Sequence, residues 1–180
     1  MPVIIILFIP RTLVDSNGRL NIQENYSERR LISDVKIGLI IIFTLFMKHF
    51  LFPLYWFSVP AIMKGWMDRV LAQGFAFEFP KCYDTGFLKN KSALLSFTTG
   101  GDTENFSKAE ASGDFRYLLW PLQHGVMHFC GFKVLAPQIS FAPETESEER
   151  RREMLSSWAQ RLETIWEEKP INCTPPWYFD

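Results

Sequence analysis

Charge bias is what this sequence most conspicuously lacks. Its 19 Lys and Arg face 20 Asp and Glu, a formal net charge of -1, so no global basic field is available to hold a nucleic acid or an anionic membrane. Cysteine is scarce as well. Cys82, Cys130 and Cys173 are too few and too scattered for a disulfide framework, and a reducing, cytoplasmic compartment is expected. The apolar run at residues 3–9 has neither the positive region before it nor the small-residue cleavage site after it that a signal peptide needs. A second apolar run, residues 37–47, stops at Lys48 and His49, short of the roughly 20 residues that cross a bilayer. A buried strand is expected there rather than a membrane span, with an anchor over residues 37–57 as the competitor. No Ser-His-Asp or Cys-His arrangement stands out and no motif pairs two carboxylates, which counts against a hydrolase. There is no internal repeat.

The chain does have aromatic rings. They make up 16% of 180 residues, with Phe 17, Trp 6 and Tyr 5, more than one domain of this length needs for its core, and flat rings suit a site for a flat ligand. Residues 37–57 are almost continuously apolar, as in a strand covered on both faces. Ser58 reads as a helix N-cap with Pro60 in the first turn, and a helix follows to Leu71. Residues 74–90 form an aromatic, Gly- and Pro-rich loop. Residues 92–98 read as a strand, and residues 115–130 as a helix bent at Pro121 and closed by Gly131. Residues 134–141 read as another strand. The last helix, residues 147–166, places Leu155, Trp158, Leu162, Ile165 and Trp166 on one face. Alternating strands and helices predict an open α/β sheet with helices on both faces.

Four groups of residues are candidates for chemistry. Thr98-Thr99-Gly100-Gly101 ends a strand in hydroxyls and glycines, letting backbone N–H groups approach a ligand at the carboxyl edge of the sheet; the alternative is an ordinary turn. No Gly-Lys-Ser/Thr follows, so it is not a P-loop. Leu54-Tyr55-Trp56-Phe57 ends another strand, as one wall of a slot for a planar ring or as an aromatic core patch. Phe75, Phe77 and Phe79 alternate in the loop, covering a pocket or packing on the core. His124 and His128 lie four apart on one helix face, a spacing for two metal ligands with Cys173 as a third, or simply two polar surface residues.

These segments carry a resemblance. FPLYWFSVPAIMKGWMDRVLAQGFAF (52–77), LLSFTTGG (94–101), LWPLQHGVMHFCGFKVLAPQISFAPE (119–144) and RLETIWEEKP (161–170) resemble the NAD(P)H:quinone oxidoreductase family. The His124, His128 and Cys173 set and the ending INCTPPWYF (171–179) resemble its ribosyldihydronicotinamide dehydrogenase (quinone) branch. The resemblance runs from about Phe52 to the end of the chain, more weakly over residues 24–34. It implies a flavodoxin-like fold, a homodimer binding FAD at the subunit interface, and two-electron quinone reduction in which a reduced nicotinamide and a quinone take turns at the flavin. By the same resemblance Leu54, Tyr55, Trp56, Phe57, Thr98, Thr99, Gly100, Gly101, Glu144 and Arg151 bind the cofactor. Phe77, Glu78, Phe79 and Phe129 line the substrate pocket, and His124, His128 and Cys173 hold a structural zinc or copper.

The sequence also departs from the family. The N-terminal His and Ser-Phe-Asn loop that hold the flavin phosphates have no counterpart, apart from a faint echo at residues 8–11. The expectation is an atypical segment 1–36, with the first strand missing or altered and the phosphate loop absent, ahead of a flavodoxin-like domain over 37–180. A truncated or alternatively spliced form, or an incorrect gene model, would read this way. Phe106 stands where the family has a tyrosine whose hydroxyl stabilises charge near the flavin. Ser112 replaces a His or Asn, and Cys82 replaces an aromatic residue. These losses leave a flavin-poor binding or dimerising protein as the alternative function.

Overall fold

The computed structural model describes Ile4–Leu7 and residues 46–180. The atypical N-terminal segment beyond Ile4–Leu7, the faint match over residues 24–34 and the first part of the apolar run at 37–47 lie outside the described residues.

The five strands among the described residues all run parallel. β1 (Ile4–Leu7) pairs with β2 (Met47–Pro53), which pairs along its whole length with β3 (Ser92–Thr98). Beyond β3 lie two short strands, β4 (Lys133–Val134) against Ser92 and Ala93, and β5 (Gln138–Ser140) against residues 96–98. The single strand expected over 134–141 is thus interrupted, and Pro137, which has no N–H for a ladder bond, sits in the break. β1 lies within the segment expected to be atypical and supplies the edge strand on the β2 side.

The sheet is covered on both faces, and the period of two along each strand divides the core accordingly. Phe50 and Phe52 of β2 and Ala93, Leu95 and Phe97 of β3 face α1 (Ala61–Val70) and α2 (Phe115–Leu122), through Met63, Met67, Val70, Leu119 and Leu122. Met47 and Leu94 face the opposite way, toward Leu135, Ile165 and the flanks of Trp158 and Leu162 on and after α3 (Glu148–Thr164). A short α4 (Pro175–Phe179) ends the chain.

Four local expectations change. Ser58 does not cap α1; Pro60 occupies that position without a side-chain bond, and Ser58 is tied into a bridge with Tyr55. The helix expected over 115–130 is α-helical only to Leu122 and then widens into a π-helical turn, Gln123–His128, just after Pro121; proline there removes an N–H from the ladder. The last helix has Ser147 as its N-cap, its side chain accepting from the Arg150 N–H, but Leu155 and Trp166 are exposed, leaving Trp158, Leu162 and Ile165 to form the apolar contact. Lys48 and His49, read as the end of an apolar run, instead lie fully buried inside β2.

Candidate functional site

The carboxyl ends of β2, β3 and β5 meet at one edge of the sheet, where open α/β folds bind ligands. Each end is built by its own local rule.

Leu54, directly after β2, donates its N–H to the Thr98 carbonyl at 2.9 Å and so continues the pairing with β3. The chain then reverses. Tyr55 and Ser58 exchange backbone hydrogen bonds of 3.0 and 2.9 Å, and Trp56 and Phe57 between them both have positive φ, 49° and 57°. Two consecutive left-handed residues define the tight two-residue turn usually given to Asn and Gly. An aromatic pair there costs on the order of 1–3 kcal/mol per residue. The return for the strain is not packing, because Trp56 is 97% exposed and Phe57 52%. The turn holds two large flat rings out into solvent beside the strand ends.

At the end of β3, Thr98 is exposed while Thr99 is buried. The Thr99 N–H donates to the Ser140 carbonyl at 3.1 Å, its hydroxyl donates to the Gly101 carbonyl at 2.6 Å, and the same Thr99 hydroxyl oxygen accepts from the Ala142 N–H at 3.4 Å. Among the described residues neither Gly100 nor Gly101 donates its N–H to a protein acceptor. A methyl group placed on Gly100 would meet no atom within 4 Å, so the space above this backbone is open. On its far side stands Phe106, buried, with its ring 6.4 Å from Phe57 and 5.8 Å from Phe141. Glu144 is exposed in the turn after Ala142, and the Arg151 guanidinium reaches back to the carbonyls of Glu146 at 2.7 Å and Pro143 at 3.3 Å, fastening that turn to the start of α3. Leu54, Tyr55, Trp56, Phe57, Thr98, Thr99, Gly100 and Gly101 are therefore gathered along one sheet edge, with the turn carrying Glu144 and Arg151 following from β5. Sequence reasoning missed Ser140 and Ala142. The signal was there: a third parallel strand must bring its own carboxyl end to the same edge.

The expected substrate residues form a separate group. The Phe129 ring lies 5.1 Å from Phe77 and 6.0 Å from Phe79, and Tyr83, also at positive φ, packs 5.5 Å from it. Phe77 and Phe129 line a cavity of about 390 Å³ between α1 and the π-helical turn, with Met67, Leu71, Val126 and Gly125. Glu78 and Phe79 are exposed, Phe79 by 73%. Among the described residues no ring pairing joins this group to Trp56, Phe57 or Phe106, although Ser58 and Val59, which follow the Trp56-Phe57 turn, line the same cavity.

The expected metal ligands come near one another, but a metal site is not shown. Among the described residues no group of three His, Cys, Asp or Glu side chains is placed to hold an ion. The His124 Nδ1 is engaged by the Cys173 carbonyl at 2.8 Å, and its ring stacks on Trp120 at 3.9 Å. His128 Nε2 pairs with Asp84 at 3.1 Å. Burial pushes the Cys173 thiol up, although a hydrogen bond from the Tyr178 hydroxyl at 3.6 Å acts the other way. One atom is left over: His128 Nδ1 is buried without a partner.

Residues 50–162 match the flavodoxin-like fold family. The chain is 73% identical over 130 residues to ribosyldihydronicotinamide dehydrogenase [quinone] of Rattus norvegicus, covering 72% of this chain and 56% of that one. It is 58% identical over 163 residues to the Homo sapiens protein of the same name, covering 91% and 71%. The chain thus spans little more than half the length of the rat relative. A crystal structure of a putative quinone reductase from Klebsiella pneumoniae superposes with a TM-score of 0.71 at 33% identity, covering 83% of this chain and 59% of that one. The fold, the strand-end constellation and these similarities agree: the chain belongs to the NAD(P)H:quinone oxidoreductase family of flavodoxin-like proteins.

Proposed function

We propose that the chain is a flavin-dependent oxidoreductase that reduces quinones by two electrons at the expense of a reduced nicotinamide. One observation carries this reading: the open space above Gly100, where unpaired backbone N–H groups and two solvent-held aromatic rings converge on the carboxyl edge of the sheet. A planar, carbonyl-bearing ring system fits there. The Gly100 and Gly101 N–H groups would donate to its ring oxygens, Trp56 and Phe57 would lie against its edge, and Leu54, Tyr55, Thr98 and Glu144 would complete the surround. Arg151 holds the turn that carries Glu144.

When bound, FAD would supply the chemistry, accepting hydride from the nicotinamide and passing it to the quinone. The protein's part is orientation, exclusion of water and stabilisation of charge. Phe106, an apolar ring at the wall, excludes water but has no proton to donate, and Ser112 is half-buried nearby in sequence on the loop before α2. Phe77, Glu78, Phe79 and Phe129 offer stacking surfaces for a flat substrate. The family resemblance supports a homodimer in which each site draws on both copies.

The remaining proposals extend the same reading. Domain assignment follows the expectation, a flavodoxin-like domain over 37–180 behind segment 1–36, with Ile4–Leu7 contributing its edge strand. A zinc or copper at His124, His128 and Cys173 is supported by the orphaned Nδ1 of His128, and metal analysis of the purified protein before and after Cys173→Ser tests it. Three buried, unpaired cysteines support a cytoplasmic setting, and among the described residues no helix is long and apolar enough to cross a membrane.

The deciding experiment records the visible spectrum of the purified protein with added FAD, and its quinone-dependent oxidation of NAD(P)H and of dihydronicotinamide riboside. A bound-flavin spectrum with turnover supports the enzyme. No retained flavin sinks it and leaves the binding or dimerising protein.

A further inference from the structure

We infer that Thr99 is a positioning residue: its buried hydroxyl shapes the Gly100-Gly101 cradle and is not itself offered to the ligand. The inference rests on the flavin-binding reading above and refines it.

A threonine hydroxyl has one proton to donate and two lone pairs, and the backbone adds one N–H. At Thr99 both donors are engaged inside the protein. The N–H is given to Ser140 at 3.1 Å and the hydroxyl proton to the Gly101 carbonyl at 2.6 Å. One lone pair receives the Ala142 N–H at 3.4 Å, the weakest of the three contacts. Thr99 is only 5% exposed, whereas Thr98 beside it faces outward. Neighbouring residues on a strand point to opposite sides, so the two threonines of the motif cannot do the same work. Thr98 is turned to solvent and Thr99 to the interior.

The hydroxyl does its work on glycines. Gly100 and Gly101 carry no Cβ to restrict their own backbone, and a methyl group on Gly100 would touch nothing. The turn therefore needs an outside constraint. The short bond to the Gly101 carbonyl closes it, and the contact with Ala142, itself at positive φ of 43°, ties it to the end of β5. One buried side chain links the two strand ends and fixes the direction of the unpaired N–H groups. A β-branched residue suits the role because its χ1 is restricted.

The test compares Thr99→Val, which keeps the shape and removes the hydroxyl, with Thr99→Ser, which keeps the hydroxyl. Amide hydrogen exchange across residues 96–106 is measured without ligand, and FAD affinity and the bound-flavin absorbance are measured by titration. Thr99→Val should speed exchange at Gly100 and Gly101, weaken FAD about tenfold and shift the flavin bands. Thr99→Ser should stay within about twofold of the parent. Should Thr99→Val not fold, Thr99→Ala removes the same hydroxyl with less volume and carries the same expectations. Parent-like exchange and binding in the hydroxyl-free variant overturns the inference, as does a Ser variant that behaves like the Val variant. If the parent itself binds no FAD, the enzyme reading fails, while the exchange comparison still decides the role of Thr99.

Discussion

Phe106 lies buried between the rings of Phe57 and Phe141, at the wall of the proposed flavin site, and differs from tyrosine by one oxygen. A donor aimed at developing charge is worth on the order of a hundredfold in rate. Phe106→Tyr is therefore expected to raise quinone-dependent turnover by about ten- to a hundredfold, with little change in FAD affinity. Steady-state kinetics on the two proteins checks this, and an unchanged kcat would show that the hydroxyl is not what limits the parent. His49 shows a different cost at single-residue scale. It is buried in β2 with both ring nitrogens unpartnered, edge-on to Trp158 at 5.1 Å. Desolvation first, and Arg161 second, lower its pKa to about 4. The folded state therefore resists protonation that the unfolded chain accepts near 6.5. Stability is full above that value and falls as pH drops from 6.5 toward 4, by up to about 3 kcal/mol. Urea unfolding from pH 7.5 to 4.5 should show this slope in the parent and a shallower one in His49→Leu. Parallel slopes would remove His49 as the cause.

Glycine makes the sharpest distinctions at the scale of elements, because similar letters do opposite work. Gly86 and Gly131 press backbone to backbone. A Cβ on Gly86 would lie 2.6 Å from the Cys130 carbonyl group, and one on Gly131 would lie 2.8 Å from Gly86, at a φ of 102°. Either alanine substitution forces apart the main chains where the 83–86 turn meets the end of the π-helical turn, and should cost about 1–3 kcal/mol or more in thermal or urea unfolding. Gly100→Ala meets nothing in the protein. It should unfold like the parent and yet lose FAD by at least about tenfold, because the methyl group fills the ligand's space. Equal FAD binding would move the ring away from this edge. Part of this was legible in sequence: the last helix from residue 147, the apolar strand over 92–98, and the Thr-Thr-Gly-Gly strand end all follow short-range rules. What was not legible depends on distant partners. Nothing local marks Lys48 and His49 as strand interior, or says that the helix at Pro121 widens rather than bends. That Thr99 turns inward while Thr98 turns out is set by Ser140 and Ala142, some forty residues away.

For the whole molecule, the unsolved question is how two aromatic groups on one chain serve one reaction. Trp56, Phe57 and Phe106 surround the Gly100 edge, whereas Phe77, Phe79 and Phe129 gather over the cavity beside α1. Sequence motifs assigned roles to both groups but could not say how they are placed in space, because placement is a property of the folded sheet. On the proposed function, stacked hydride transfer needs reacting atoms within about 3–3.5 Å, so a working site must bring the groups together, and the proposed homodimer would do so with a shared site. This can be tested by mixing. Trp56→Ala should disable the flavin side and Phe129→Ala the substrate side, each lowering turnover at least about tenfold in a pure dimer. If sites are shared, refolding the two variants together in equal amounts produces mixed dimers in which one of the two sites has both defects and the other has neither. Activity should then return to roughly a quarter of the parent's, because half of the dimers carry one intact site in two. If each chain builds its site alone, every site keeps one defect and mixing restores nothing. Recovery that depends on refolding together, and is absent when preformed dimers are simply combined, would distinguish subunit exchange from any contribution by the isolated chains.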